Sequence, residues 1–191
     1  MMPAATPLQF RIVVTSGTRR TGLKGREAAA QLTALGIPVP AGPNQVVRFH
    51  TPVGGRCLRL GQTEFLLEQD DGDALLATVD ATASSATQGL LGALRSDRCF
   101  LLAGTGLYPA LRQIAAFDFE SPAFGIDAVV MTLMAGISVT FIREPMPDGE
   151  ALRLWCDAGF GDYLNDCFIT LGGQPAGDLP FLSREPQGPT P

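Results

Sequence analysis

The sequence is poor in the residues most often used for chemistry. It has a single histidine, His50, and four cysteines, Cys57, Cys99, Cys156 and Cys167. No two cysteines form a C-x-x-C pair, and a structural zinc site needs such close ligand pairs, so the pattern argues against zinc. No G-x-S-x-G serine is present, and His50 has no acid partner close in sequence, which argues against a hydrolytic triad. A basic excess is also missing: Lys and Arg number 14 against 19 Asp and Glu, for a formal net charge of −5. The basic cluster RRTGLKGR, Arg19 to Arg26, is too small a footprint for a nucleic-acid partner. The start, MMPAATPLQF, lacks the basic residues and apolar stretch of a secretory signal. The run AVVMTLMAGISVTFI, 128–142, is too short to span a bilayer and carries Thr132, Ser138 and Thr140. These absences lead to the expectation of a soluble, cytoplasmic chain with no membrane or nucleic-acid partner.

What is present is core. Of the 191 residues, 46% are apolar and 17% charged, enough for one large domain or two small lobes. Cys57, Cys99 and Cys156 sit among apolar neighbours and read as small buried hydrophobes kept reduced. Strands are predicted over 8–14, 44–49, 56–60, 64–68, 98–103, 128–134, 137–143 and 151–156, from β-branched and aromatic content between turn residues. Helices are predicted over 26–36, over 109–116, and from 157 or 161 to about 168. The stretch 74–94 is ambiguous. It reads as a strand near 75–80, a Ser/Thr-rich turn, and a helix over 87–94 weakened by Gly89 and Gly92. Residues 173–191 turn rich in proline and glycine and read as a tail, with Leu179, Phe181 and Leu182 as its only anchors.

A repeat runs through this pattern. GLKGREAAAQL and LAGTGLYPAL superpose at a shift of 79 residues, laying Gly25 on Gly104, Leu23 on Leu102 and Leu32 on Leu111. Each copy ends a strand at a glycine, turns into a helix, and leaves through an apolar segment. The glycine permits the sharp exit, and the helix lays its apolar stripe back on the sheet. The expectation is an α+β fold of two pseudo-repeated halves, about 8–92 and 93–172, built from small mixed or antiparallel sheets with packed helices, in a single domain over 1–172.

Few constellations suggest chemistry. AGTGLYPAL lacks the third glycine of a dinucleotide loop and the Lys-Ser/Thr of a Walker loop. Glu64, Glu68, Asp70, Asp71 and Asp73 form a carboxylate-rich stretch that reads as turn chemistry rather than an acid–base pair. Trp155, Phe160 and Tyr163, with Arg143 and Arg153, suit either an aromatic wall for a flat anionic ligand or a core edge with snorkelling arginines.

Taken in order, several segments resemble one family. GLKGREAAAQL with GIPVPAGPN and LRLGQTEFLL, then LLAGTGLYPALRQIAAFDF, then AVVMTLMAGISVTFIRE with LRLWCDAGFGDYL resemble the small gamma subunits of heterotetrameric sarcosine oxidase. The likeness covers about residues 20–170, carried by order and spacing rather than by one diagnostic motif. That family is related to the aminomethyltransferase, or T-protein, of glycine cleavage, whose fold binds tetrahydrofolate. The resemblance implies a T-protein-like α+β fold and service in amine demethylation. There a flavin-containing partner oxidises an N-methyl group and tetrahydrofolate captures the formaldehyde.

The departures from that family are specific. T-proteins carry two glycines, two further residues and an acidic pair; here the nearest match is Gly54-Gly55-Arg56-Cys57-Leu58-Arg59. Leu58 and Arg59 replace the acidic pair, so no catalytic residue is expected on this chain. The strand that carries the family's pterin-binding glutamate corresponds to ALRLWC, with Arg153 in its place. No residue matched to the family pattern supports a folate ligand. Candidates for one are therefore read from residue type alone: Glu68, Arg143, Arg153, Trp155 and Tyr163. The resemblance implies a small non-catalytic subunit of a heteromeric oxidoreductase, of sarcosine oxidase or dimethylamine monooxygenase type. Flavin, haem or iron–sulfur centres would then sit on larger partner chains, and tetrahydrofolate would be the one cofactor this chain could share. The alternative is a free-standing tetrahydrofolate-dependent aminomethyltransferase-like enzyme or folate-binding chaperone.

Overall fold

The computed structural model describes residues 9–15, 18–50, 53–84, 89–147 and 149–177. Leu179, Phe181 and Leu182 lie outside the described residues. The described elements run β1 (Phe10–Val14), β2 (Arg19–Lys24), α1 (Ala28–Ala34), β3 (Gln45–Phe49), β4 (Gly55–Arg59), β5 (Glu64–Gln69), α2 (Ala74–Ser84) and β6 (Leu91–Ala93). They continue β7 (Arg98–Ala103), α3 (Leu107–Leu111), β8 (Val129–Met134), β9 (Ile137–Met146), β10 (Gly149–Cys156), α4 (Gly161–Thr170) and β11 (Gly173–Pro175).

The strands form two sheets, ordered β3-β4-β5-β2-β6 and β8-β9-β10-β7-β1-β11. Strand for strand the two orders correspond, with β11 the one addition. All pairings are antiparallel except β1 with β11. The repeat seen in the sequence is therefore a repeat of topology: strand, helix, three-strand meander, helix. The leading strands are exchanged. β1 pairs with β7 of the second half, and β6 pairs with β2 of the first. The halves are interlocked, and the expected boundary at 92/93 falls inside β6.

Both repeat glycines hold the backbone a side chain resists. Gly25 has φ 122° and Gly104 has φ 143°. A Cβ on Gly25 would lie 2.1 Å from the Gly89 carbonyl oxygen, and one on Gly104 would lie 2.8 Å from Phe10 Cα. Each neighbour belongs to the run of the exchanged strand, so the glycine lets the exchange close tightly.

β5, β7 and β10 carry buried apolar residues on both sides, as a sheet covered on both faces requires. On the outer side of the smaller sheet, Leu23, Phe65 and Leu67 pack with Leu32 of α1 and Leu76 and Val79 of α2. On the outer side of the larger sheet, Phe100, Leu102, Phe141 and Leu154 pack with Leu111 of α3 and Leu164 and Phe168 of α4. Between the sheets lie Val46, Leu58 and Leu66 from one and Cys99, Val129, Ile142 and Trp155 from the other. The layers run helix, sheet, sheet, helix, and burial of each large side chain contributes about 1.5–3 kcal/mol.

β2, Arg19–Lys24, was not among the predicted strands, and α3 covers Leu107–Leu111 rather than 109–116. Three further elements differ from the sequence expectation. Residues 74–84 are a helix, not a strand and turn. Thr78, Thr82 and Ser84 bond back to carbonyls four residues earlier, and Thr21 and Arg19 both donate to Asp80, so a β-branched segment is held helical from outside itself. Residues 91–93, placed in a weak helix, form β6. Residues 173–175 form β11 against β1 rather than a tail.

Candidate functional site

The inter-sheet layer is apolar except at one place. β5 carries Phe65, Leu66 and Leu67 and then turns Glu68 inward with no exposure. β10 carries Arg153 and Trp155 on the facing side. An isolated carboxylate here would be costly to desolvate. It is instead fully surrounded by donors. Arg56 Nη1 and Arg153 Nη1 donate to Glu68 Oε1 at 2.5 and 2.9 Å. Arg20 Nε and the Trp155 indole Nε1 donate to Oε2 at 2.6 and 2.8 Å.

Glu144 extends the cluster. Its Oε1 accepts from Arg56 Nη2 at 3.1 Å, and its Oε2 lies 3.6 Å from Arg153 Nε and 3.8 Å from Arg48 Nε. Asp70 accepts from Arg56 Nη2 at 2.8 Å. Arg20 is further fixed by the carbonyls of Asp97 and Thr15. Residues from both sheets and both halves therefore meet in one ionic knot.

Burial alone would push the Glu68 carboxyl up. Arg153, then Arg56 and Arg20, with the Trp155 hydrogen bond, outweigh it and hold the group down at about 2. Glu68 is ionised throughout the physiological range, so it cannot serve as a general acid. Both of its oxygens are taken up by the chain's own donors. Burial opposes the charge on Arg153 too, but Glu68 and Glu144 hold its pKa above the usual value.

Of the five ligand candidates, the structure brings together Glu68, Arg153 and Trp155. Arg143 lies on the opposite face of its sheet, bonded to Glu150 at 3.1 Å and to the Phe119 carbonyl at 2.9 Å. Its guanidinium sits 4.5 Å from the Phe124 ring centroid. Tyr163 lies on α4, half exposed, donating to the Ala135 carbonyl at 3.0 Å. Phe160 is likewise exposed while Trp155 is buried inward, so the three aromatics do not make one wall.

Arg20, Arg56 and Glu144 were not singled out by sequence reasoning. Single charges inside apolar strand runs marked Arg153 in LRLWC and Glu68 in FLLEQ, but no such run marks Arg20, Arg56 or Glu144. Cys57, Cys99 and Cys156 are buried, as expected, and burial chiefly raises their thiols, to about 12, 11 and 11. Among the described residues no cluster of metal-ligating side chains occurs. No helix among them is long and apolar enough to cross a membrane.

A cleft of about 650 Å³ opens beside the knot, past Trp155. Met131, Leu133, Thr140 and Trp155 line it, with Asp97 and Asp157 among the polar residues of its wall.

No protein family and no curated protein matches the sequence. Solved structures do. The chain is similar to a chain of heterotetrameric sarcosine oxidase from Corynebacterium sp. U-96, solved with pyrrole 2-carboxylate, at 22% identity and TM-score 0.66, covering 89% of this chain and 87% of that one. It is also similar to the glycine cleavage system aminomethyltransferase T from Bartonella henselae, at 11% identity and TM-score 0.67, covering 90% of this chain and 49% of that one. This chain therefore spans about half of aminomethyltransferase T but nearly the whole of the sarcosine oxidase chain. Its fold is the one the resemblance implied, the T-protein-like α+β fold found in sarcosine oxidase and in aminomethyltransferase T.

Proposed function

We propose that this chain is a small, non-catalytic subunit of a heteromeric amine-demethylating oxidoreductase, of sarcosine oxidase or dimethylamine monooxygenase type. The observation that carries the reading is the near-complete mutual coverage with one chain of a heterotetrameric oxidase. The chemistry of the interior supports it. The fully buried carboxylate, Glu68, is saturated by Arg20, Arg56, Arg153 and Trp155, and the buried thiols are held protonated. Leu58 and Arg59 stand where an acidic pair would be needed. Leu58 is packed between the sheets, and Arg59 donates to the carbonyls of Pro40, Ala41 and Gln62. The reacting groups would belong to larger partner chains carrying flavin, haem or iron–sulfur centres.

Tetrahydrofolate capture by this chain alone is the rival reading. It needs free donors and acceptors converging on a pterin. Glu68, Arg153 and Trp155 are bonded to one another, while Arg143 and Tyr163 lie on the outer face, so these five residues do not fit a folate ligand in this arrangement. The test is recovery of a tagged full chain from its native cell. Stoichiometric recovery with larger chains is expected; recovery as a single colourless chain overturns the subunit reading.

A further inference from the structure

The two halves are alike in backbone and opposite in side chain at one place. In the smaller sheet Arg56 lies across from Glu68, Arg48 lies across from Arg56, and Asp70 follows Glu68 by two residues. At the corresponding places of the larger sheet, Thr140 lies across from Trp155, Met131 lies across from Thr140, and Asp157 follows Trp155 by two residues. Both arginines and Glu68 thus have neutral counterparts, while Asp70 has an acidic one in Asp157. Asp70 is answered by the Arg56 guanidinium at 2.8 Å. Asp157 accepts from the Gly159 backbone N–H, and among the described residues no cation stands within ion-pair distance of it.

The space that Arg56 and Arg48 fill in one half is the cleft in the other. Trp155, Met131 and Leu133 give it apolar wall, Thr140 gives it a hydroxyl, and Asp97 and Asp157 give it two carboxylates. Met131 and Leu133 are half exposed. The Asp97 carboxylate has Arg95 at 3.9 Å, its backbone carbonyl accepts from Arg20 at 2.6 Å, and its Oδ2 is buried without a hydrogen-bond partner among the described residues. A volume of about 650 Å³ suits a small organic molecule. Beyond burial, Asp97 and Asp157 both raise the thiol of Cys156 on the cleft wall, so their field reaches the lining.

We propose that this cleft binds an organic cation, an ammonium or guanidinium head on an apolar body, with Asp97 and Asp157 answering the charge and the exposed Met131 and Leu133 covering the body, above the buried Trp155. The ligand supplies the positive charge that Arg56 supplies in the other half. The site lies within one chain and does not rest on the subunit reading.

Trp155 is the single tryptophan of the chain, so its fluorescence reports the site directly. The full chain is titrated with butyltrimethylammonium, butylguanidinium and butyrate at matched ionic strength. A saturable response to a cation probe and none to butyrate is expected. Saturation by the ammonium probe identifies a small-molecule ammonium as the source. Saturation by the guanidinium probe alone identifies an arginine side chain of a partner. Replacing both acids, Asp97→Asn with Asp157→Asn, weakens binding about tenfold or more, a change of roughly 1.4 kcal/mol. Asparagine still accepts from the Gly159 N–H, so the turn is kept. Thr140→Arg recreates the arrangement of the first half and blocks the probes. If that variant does not fold, the double asparagine variant decides alone. An equal response to butyrate, a response that does not saturate, or unchanged affinity in a folded double variant overturns the proposal.

Discussion

Glu68 and Trp155 occupy equivalent places in the two halves, and they bond to each other: the indole Nε1 donates to Glu68 Oε2 at 2.8 Å. The acid of one sheet is thus seated against the aromatic of the other. Three guanidiniums from β2, β4 and β10 complete the contact. Removing the acid leaves these charges facing one another in a dry layer. Glu68→Gln is therefore expected to lower unfolding stability by about 3–5 kcal/mol, measured by urea denaturation. The loss is expected whatever the chain does for a living cell, so loss of activity in this variant is not by itself a sign of catalysis. A stability within about 0.5 kcal/mol of the parent would show that the knot does not hold the sheets together.

The same knot sets an acid limit. The folded-state pKa of Glu68 lies near 2, below its ordinary value of 4.5. A depressed carboxylate contributes stability that is fully present above the unfolded value and is lost as pH falls through the folded one. The contribution is on the order of 3 kcal/mol. Stability measured from pH 6 to pH 2 is expected to fall most steeply below about 4.5, and Glu68→Gln is expected to flatten that part of the curve.

The exchanged strands predict paired glycine effects. Gly25→Ala and Gly104→Ala each place a Cβ against the backbone at a positive φ. Each is expected to cost roughly 2–4 kcal/mol, and the two costs are expected to be similar because the positions are equivalent. Thermal unfolding of the two single variants checks this. A large loss at one and none at the other would break the equivalence.

Thiol reactivity separates the cysteines. Burial chiefly holds Cys57, Cys99 and Cys156 protonated near neutral pH, while Cys167 on α4 is partly exposed. A disulfide-exchange reagent at pH 8 is expected to label Cys167 first, and the other three only on unfolding. Equal labelling of all four in the native protein would contradict the packing described above.

Much of the fold was legible in the sequence because local chemistry determined it. β8 and β9 read as two β-branched runs joined by Ala135-Gly136, and both turn residues do take positive φ, 50° and 82°. β7 matched its apolar run end to end. The repeat was legible because a glycine before a helix is a steric requirement met twice. What was not legible depends on contacts distant in sequence. α2 is held by Thr21 and Arg19 through Asp80, roughly sixty residues away. β6 and β11 are three residues each and exist only through their partners. The site divided in the same way. Glu68, Arg153 and Trp155 stood out by residue type, but their meeting joins positions 85 and 87 residues apart through the packing of two sheets. Arg20 sat in a small basic cluster, Arg19 to Arg26, and nothing local shows that it turns inward.

The proposed role is tested most directly by the visible spectrum of the complex recovered through this chain. It is recorded anaerobically before and after addition of sarcosine or dimethylamine. The subunit reading predicts co-purifying larger chains with flavin, haem or iron–sulfur absorbance that is reduced by one of these amines. A chain recovered alone and without visible absorbance, or a coloured complex that neither amine reduces, would contradict it.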